Sequence, residues 1–168
     1  MAFCTRKKKF IDFWAQLASI TSKVPRERLS FSILNEPEFE QPDVSKDKRD
    51  AWLDLAKKTI ERIRQISPDR VILLEGIGKS LFSRKTKQGF YKYDQIDDLH
   101  QPLELKDIVY TFHTYEPEEF LQQASDRYGS FGRAYQAKYS KAVQTDAHRL
   151  ISWANLHHVP VMLSETGC

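Results

Sequence analysis

The sequence predicts an α/β fold in which parallel β-strands are joined by α-helices. Two observations support this fold class. Segments whose apolar residues recur with helical spacing alternate along the chain with short apolar segments that have strand character. Alternation of this kind is typical of parallel strands connected by right-handed crossovers. Some of the short segments are apolar throughout, as expected for strands that are covered on both faces.

The first predicted element is an amphipathic helix near the amino terminus. Phe10 and Trp14 follow helical spacing, and Pro25 ends the pattern. We expect the helix to begin near Lys9, because the basic run at residues 6–9 is interpreted as a solvated leader. Polar residues interrupt the apolar run that follows, so the segment does not resemble a secretory signal.

The remaining helices and strands follow the same two patterns. Strands are predicted over residues 29–34, 71–74, 108–112 and 159–163, and helices over residues 51–66 and 135–156. Trp52 and Trp153, like Trp14, lie in helical patterns and are therefore predicted to be core residues. Long loops rich in aromatic residues follow the second and third strands, and such loops usually carry function.

Composition and charge exclude several classes of protein. The chain has 168 residues, which fits one domain, and 26 basic against 23 acidic residues give a net charge of +3. This charge is too small to indicate a nucleic-acid partner. No apolar stretch reaches the roughly 20 residues that span a membrane. Cys4 and Cys168 lie at opposite ends of the chain, so neither a disulfide framework nor a zinc site is expected.

Two arrangements of the parallel strands fit the alternation: an open doubly wound sheet, or part of a (β/α)8 barrel. A nucleotide-binding sheet needs a glycine-rich turn after a strand, and Gly-Ile-Gly-Lys-Ser at residues 76–80 loosely matches one. The segment lacks the upstream glycine and the four-residue spacing of a phosphate-binding loop. We therefore interpret it as an ordinary turn.

Polar residues that could act in catalysis directly follow the predicted strands. The first strand runs into Asn35 and Glu36, and the fourth runs into Glu165. In barrels, residues just past the carboxyl ends of strands line the active site. Two carboxylates delivered there by different strands are the pair that glycoside hydrolysis requires. The third strand adds His113 and Tyr115, whose alternate positions point to the same side.

Three motifs stand at these strand ends: Leu-Asn-Glu-Pro at 34–37, Phe-His-Thr-Tyr-Glu-Pro at 112–117 and Pro-Val-Met-Leu-Ser-Glu-Thr-Gly at 160–167. Together they resemble the motifs of glycoside hydrolase family 5, the cellulase-like retaining glycosidases. The resemblance covers essentially the whole chain in the family's order. It implies a partial (β/α)8 barrel, in which residues 1–168 form part of the catalytic domain with about strands four to seven.

The resemblance also implies a role for each motif residue. Glu36 is similar to the general acid/base and Glu165 to the nucleophile. Asn35 matches the residue that binds the sugar 2-hydroxyl, His113 a histidine that lines the reacting-sugar site, and Tyr115 the tyrosine near the nucleophile. The implied reaction is hydrolysis of β-glycosidic bonds in β-glucan or a related polysaccharide with retention. It implies no metal and no organic cofactor.

The sequence departs from the family pattern in three respects. Thr166 stands where an aromatic residue is common, the substrate-stacking tryptophan after the last strand is unmatched, and so are the strands outside four to seven. Three interpretations therefore stay open: a truncated glycosidase, a non-catalytic fragment or carbohydrate-binding remnant, and an unrelated α/β domain. An incomplete barrel would also leave the first and last strands as open edges through which copies could associate.

Glu75 is a further carboxylate that directly follows a predicted strand. It could assist the carboxylate pair, hold a loop or bind sugar hydroxyls. Because the family pattern places the catalytic residues elsewhere, we do not predict that Glu75 contacts substrate.

Overall fold

The fold is a four-stranded parallel sheet with helices packed against it, as the sequence predicts. The computed structural model describes residues 2–37, 46–76, 101–114 and 137–166. In chain order the elements are α1 (Ala2–Ile20), β1 (Phe31–Ser32), α2 (Lys46–Arg64), β2 (Ile72–Glu75), β3 (Ile108–Thr114), α3 (Ala137–His157) and β4 (Val161–Thr166). The strands are adjacent in the order β1-β2-β3-β4, and every neighbouring pair is parallel.

The register of the strands brings their carboxyl ends to one edge of the sheet. Glu75 at the end of β2 is paired with Thr111 of β3, and His113 of β3 is paired with Glu165 of β4. The ladder between β3 and β4 is irregular between Phe112 and His113, where β4 contains one extra residue. Polar residues that are distant in sequence therefore meet beyond the apolar part of the strands.

The core lies between the sheet and the helices, and tryptophans supply much of it. Trp14, Trp52 and Trp153 are at most 9% exposed, which confirms the prediction that they are core residues. The Trp14 ring packs on Phe31 of β1, and the Trp153 ring packs edge-on against Tyr110 of β3. These aromatic contacts fix each helix on the strand that it covers.

Several element boundaries differ from the predicted ones. Strand β1 covers only Phe31–Ser32 of the predicted 29–34, and helix α2 begins at Lys46 rather than at residue 51. Helix α1 begins at Ala2 rather than near Lys9. The residues before Lys9 include neither glycine nor proline, so nothing in the basic run ends the helix, and Lys8 pairs with Asp12 one turn later. Strands β3 and β4 also continue beyond their apolar runs, because the backbone ladder extends to Thr114 and Thr166.

A buried arginine connects the turn after α1 to the start of β2. Arg70 is only 2% exposed, and its guanidinium donates to the carbonyls of Val24 and Leu29 at 2.8 Å each. Longer bonds reach two more carbonyls in the same turn, those of Thr21 and Pro25. The guanidinium also lies over the Phe31 ring, 5.4 Å from its centroid. Arg70 thus satisfies backbone groups that no helix or strand satisfies.

The described sheet has two open edges and some exposed apolar residues. Strands β1 and β4 are its outer strands. Leu34, Met162 and Leu163, which lie just past β1 and within β4, are between 38% and 46% exposed. Among the helices that the structure describes, none combines the length and the apolar character needed to cross a membrane.

Candidate active site

Four polar side chains converge at the carboxyl edge of the sheet, each from a different strand or strand end. Glu36 follows β1, Glu75 is the last residue of β2, His113 lies near the end of β3, and Glu165 lies near the end of β4. Parallel strands deliver their carboxyl ends to the same edge, which is why residues 129 positions apart in the chain meet here.

His113 lies at the centre of this group and is fully buried. Its Nδ1 is 3.0 Å from Oε1 of Glu36, within hydrogen-bond distance. Its Nε2 is 2.8 Å from Oε1 of Glu75 and 3.6 Å from Oε1 of Glu165. The contact with Glu75 is an ion-pair approach, too bent for a good hydrogen bond. The imidazole therefore separates three carboxyl groups that would otherwise repel one another.

The backbone of Glu36 adopts an unusual conformation that Glu75 supports. Glu36 has a φ of 42°, in the left-handed region that non-glycine residues rarely occupy. Its N–H donates to Oε2 of Glu75 at 2.6 Å. Such a conformation costs roughly 1–3 kcal/mol and persists only where the surroundings hold it. The short bond to Glu75 is one interaction that holds the Glu36 backbone in place.

Glu75 is the most deeply buried of the three carboxyl groups, at 2% exposure. Its main-chain carbonyl accepts a 2.9 Å hydrogen bond from Nε1 of Trp52, so helix α2 anchors the end of β2. Burial raises the pKa of Glu75, while the Glu36 N–H and His113 act in the opposite direction. The Glu75 carboxyl group thus uses both oxygens inside the protein.

Glu36 and Glu165 are close enough to act on the same bond. One carboxyl oxygen of Glu36, one of Glu165 and one ring nitrogen of His113 all lie within 4.8 Å of one another. Retaining glycosidases place their two carboxyl groups about 5–5.5 Å apart, and inverting enzymes place them about 6.5–9.5 Å apart. The same three residues could also act as ligands of a divalent cation, since histidine nitrogen and carboxyl oxygen suit such ions.

The structure brings together three of the five residues that the sequence singles out. Glu36, His113 and Glu165 are in contact or near contact. Asn35 is exposed beside Glu36, and Tyr115 lies outside the described residues, as do residues 77–80 of the candidate phosphate loop.

Glu75 is the residue whose importance the sequence analysis underestimated. The signal was present, because Glu75 directly follows an apolar strand in the same way as Glu36. What the sequence could not show was that both Glu75 oxygens are used, one by His113 and one by the Glu36 backbone.

Comparison with known proteins supports the fold described above. The sequence matches the pattern of Cellulase (glycosyl hydrolase family 5) over residues 4–168, which is nearly its whole length. The chain belongs to glycosyl hydrolase family 5. The family assignment thus confirms the resemblance found in the three motifs, and it excludes the unrelated α/β domain.

Individual relatives of this family 5 chain are distant in sequence and similar in fold. Endoglucanase 3 of Fibrobacter succinogenes is 23% identical over 198 residues, which cover 95% of this chain and 27% of that protein. Endoglucanase Cel5A of Thermotoga maritima superposes with a TM-score of 0.74 at 24% identity, over 98% of this chain and 49% of that chain. Cellulose synthase subunit Z of Clostridioides difficile gives a TM-score of 0.71 at 23% identity, covering 97% and 50%.

These superpositions confirm the (β/α)8 interpretation over the open doubly wound sheet. The four parallel strands and their helices correspond to part of the barrel of family 5 enzymes. The chain spans about half the length of the solved relatives.

Proposed function

We propose that this chain supplies the two catalytic carboxyl groups of a retaining β-glycosidase, and that residues 1–168 form part of its catalytic domain. The observation that carries the proposal is the spacing of Glu36 and Glu165 around the buried His113. One carboxyl oxygen of Glu36 lies within 4.8 Å of one of Glu165, which is closer to the separation of about 5–5.5 Å in retaining enzymes than to the separation of about 6.5–9.5 Å in inverting enzymes. This spacing supports a covalent intermediate formed on one of them.

The reaction would proceed in two steps that share the same residues. In the first, Glu36 gives its proton to the glycosidic oxygen while a carboxylate oxygen of Glu165 bonds to the anomeric carbon, and the bond to the leaving sugar breaks. In the second, Glu36 takes a proton from water, whose oxygen displaces Glu165 from the anomeric carbon. Two displacements at one carbon retain its configuration.

Other motif residues would bind the sugar that reacts. Asn35, exposed beside Glu36, is proposed to bind the sugar 2-hydroxyl, a contact that strengthens in the transition state. Tyr115 is proposed to lie near the nucleophile, and His113 to line the reacting-sugar site. None of these steps needs a metal or an organic cofactor.

The proposed substrate is a β-linked polysaccharide or oligosaccharide. Structures of Thermotoga maritima Cel5A are described as complexes with mannotriose and with cellobiose. At 22% and 23% identity these relatives share the fold with this chain. The strand-end groups described above support a sugar-binding cleft of the same type here.

Replacing the proposed acid/base residue tests the proposal through its dependence on the leaving group. In a protein that carries this chain within a complete (β/α)8 barrel, we expect Glu36→Gln to lower kcat on a cello-oligosaccharide by about 100-fold or more, because a sugar leaving group needs protonation. The same variant should hydrolyse an aryl β-glycoside with an acidic phenol far better. The measurement is kcat on both substrates. Equal losses of kcat on both substrates would contradict the role of Glu36. The matched control is Glu104→Gln, because the Glu104 side chain is an exposed carboxylate.

A second candidate function is a non-catalytic, carbohydrate-binding fragment, and the exposed apolar residues favour it for the isolated chain. Leu34, Met162 and Leu163 are at least 38% exposed, and β1 and β4 are open edges of the described sheet. Catalysis needs its groups held within about half an ångström by their surroundings.

We expect the isolated 168-residue chain to hydrolyse β-glucan poorly and to associate through these edges. Light scattering after size exclusion and a reducing-sugar assay on the same fractions measure both properties. A lysine in place of Leu163, on the outer strand β4, should reduce association. A monomeric chain with full activity would contradict this prediction.

A further inference from the structure

We propose that Glu75 and Trp52 are positioning residues that together hold the backbone of Glu36 in its left-handed conformation. This inference rests on the proposed function, because Glu36 is the acid/base residue proposed there. It extends that function to a side chain of helix α2, which lies outside the group of strand-end residues. Each of the two contacts that carry it involves a main-chain atom, one of Glu36 and one of Glu75.

The backbone ladder between β1 and β2 ends before the chain reaches Glu36. Its last bond runs from the N–H of Ile33 to the carbonyl of Leu73, at 3.4 Å. Two residues further along the two strands lie Asn35 and Glu75, and no backbone bond joins this pair in the part of the chain that the structure describes. The sheet therefore no longer fixes the path of the chain here, and the position of Glu36 depends on other contacts.

Beyond the ladder, the carboxyl group of Glu75 replaces a backbone acceptor. Its Oε2 accepts the N–H of Glu36 at 2.6 Å, and Glu36 has a φ of 42°. A carboxyl group can accept this N–H whether it is ionised or protonated. Glu75 is only 2% exposed, so the bond is shielded from competing water. Without this acceptor we expect the strained backbone to relax toward a negative φ, which would displace the attached carboxyl group.

The indole of Trp52 holds Glu75 in turn. Its Nε1 donates to the main-chain carbonyl of Glu75 at 2.9 Å, and this carbonyl is the one at which the ladder with β1 would continue. Trp52 is 4% exposed and the bond is buried. Glu75 is thus held through its main chain and holds Glu36 through its side chain. The two bonds form a connected path from helix α2 to the backbone of Glu36.

This path matters for catalysis because Glu36 is held at two separate points. Nδ1 of His113 lies 3.0 Å from its carboxyl group, and Glu75 accepts its N–H. A change at the backbone alters the position from which the carboxyl group meets the glycosidic oxygen. A misplacement of about 1 Å can lower a rate about 100-fold.

Three substitutions remove or keep these bonds one at a time. Glu75→Leu fills the buried site but has no acceptor, whereas Glu75→Gln keeps an oxygen that can accept the Glu36 N–H. Trp52→Phe keeps a buried ring but loses the indole N–H. The matched control is Trp153→Phe, the same change at a buried tryptophan whose Nε1 has no hydrogen-bond partner among the described residues.

The experiment is amide hydrogen exchange of the 168-residue chain, read by ¹⁵N NMR, with the exchange rate of Glu36 divided by that of Ile33. A loss of overall stability raises both rates, whereas the loss of a positioning contact raises the rate of Glu36 alone. We expect the ratio to rise about 10-fold in Glu75→Leu and by a smaller amount in Trp52→Phe. Glu75→Gln and Trp153→Phe should match the wild type.

A double variant tests whether Trp52 acts through Glu75. If it does, adding Trp52→Phe to Glu75→Leu raises the exchange ratio no further, because the bond to Glu36 is already lost. A double variant in which the two effects multiply would show that the contacts are independent, and the proposed path would be wrong.

Kinetics give a second readout, measured in a protein that carries this chain within a complete (β/α)8 barrel. We expect Glu75→Leu to lower kcat on a cello-oligosaccharide about 100-fold, with a much smaller loss on an activated aryl β-glycoside. The difference arises because the variant misplaces the proton donor, and Glu75→Gln should restore most of the rate. A purely structural role would lower both rates equally, and that result would contradict the positioning role.

Three exchange results would overturn the inference. The first is a Glu36 N–H that exchanges as fast as that of an unstructured peptide in the wild type, which needs no variant to fold. The second is an unchanged ratio in Glu75→Leu, and the third is a ratio in Glu75→Gln as high as in Glu75→Leu. None of them depends on whether the chain hydrolyses a glycan, so failure of the inference is distinguishable from failure of the proposed function.

Discussion

Glu165→Gln, in a protein that carries this chain within a complete (β/α)8 barrel, is expected to lower hydrolysis of every β-glycoside tested by more than about 1,000-fold. Loss of a nucleophile removes the covalent route itself. The substituted amide keeps the size of the side chain but cannot form the glycosyl ester. Unlike Glu36→Gln, the loss should be the same for activated and unactivated leaving groups. The assay is the initial rate on an aryl β-glycoside and on a cello-oligosaccharide.

Trapping the intermediate separates a nucleophile from a residue that only supports the site. A 2-deoxy-2-fluoro glycosyl fluoride slows both displacements, so the ester should accumulate on the active protein. We expect the mass of one sugar on the peptide that contains Glu165, and none in Glu165→Gln. Labelling of Glu36 instead would exchange the two proposed roles. Glu104→Gln should label like the wild type, because that carboxylate is exposed and precedes the amino end of β3, whereas Glu165 lies near the carboxyl end of β4.

Arg70→Met is expected to lower the free energy of unfolding by about 3–4 kcal/mol, the largest stability effect that we predict. The methionine keeps an apolar stem but removes every donor that serves the turn after α1. Two carbonyls lose bonds of 2.8 Å, and a part-buried acceptor left without a donor costs about 1–3 kcal/mol. The contact of the guanidinium with the Phe31 ring is lost as well.

Urea unfolding followed by tryptophan fluorescence measures this loss. Arg28→Met is the matched control, because Arg28 belongs to the same turn and its side chain is exposed. Its effect should stay within about 0.5 kcal/mol. Similar losses for the two variants would show that the buried bonds of Arg70 contribute little.

The parts of this structure that could be predicted from the sequence depend on local patterns. The helical pattern of apolar residues that includes Trp52 predicts a buried helix face, and the apolar run before Glu75 predicts a buried strand. Both patterns consist of residues that are close in sequence. Glu36 and Glu165 were found because each directly follows such a run and lies in a motif of the family. The role of each carboxyl group stays a proposal.

The parts that could not be predicted depend on contacts between distant residues. The burial of Glu75 results from His113, 38 positions later, and from the N–H of Glu36, 39 positions earlier. Neither contact leaves a periodic signal. The anchoring role of Arg70 was equally hidden, because its acceptors are main-chain carbonyls and those carry no sequence signature. The early start of α1 could not be predicted, because the basic run at residues 6–9 is equally compatible with a solvated leader and with a helix.

The extra residue in β4 has a consequence for anyone who transplants this strand into another barrel. Leu163 pairs with Phe112, and Glu165 pairs with the very next residue of β3, so Ser164 has no counterpart in the ladder. A bulge of this kind changes which face the following side chain occupies. A graft that keeps Ser164 but restores strict alternation would put Glu165 on the same face as Leu163 and turn its carboxyl group into the layer beneath the helices. The transferable unit is therefore the strand with its irregularity.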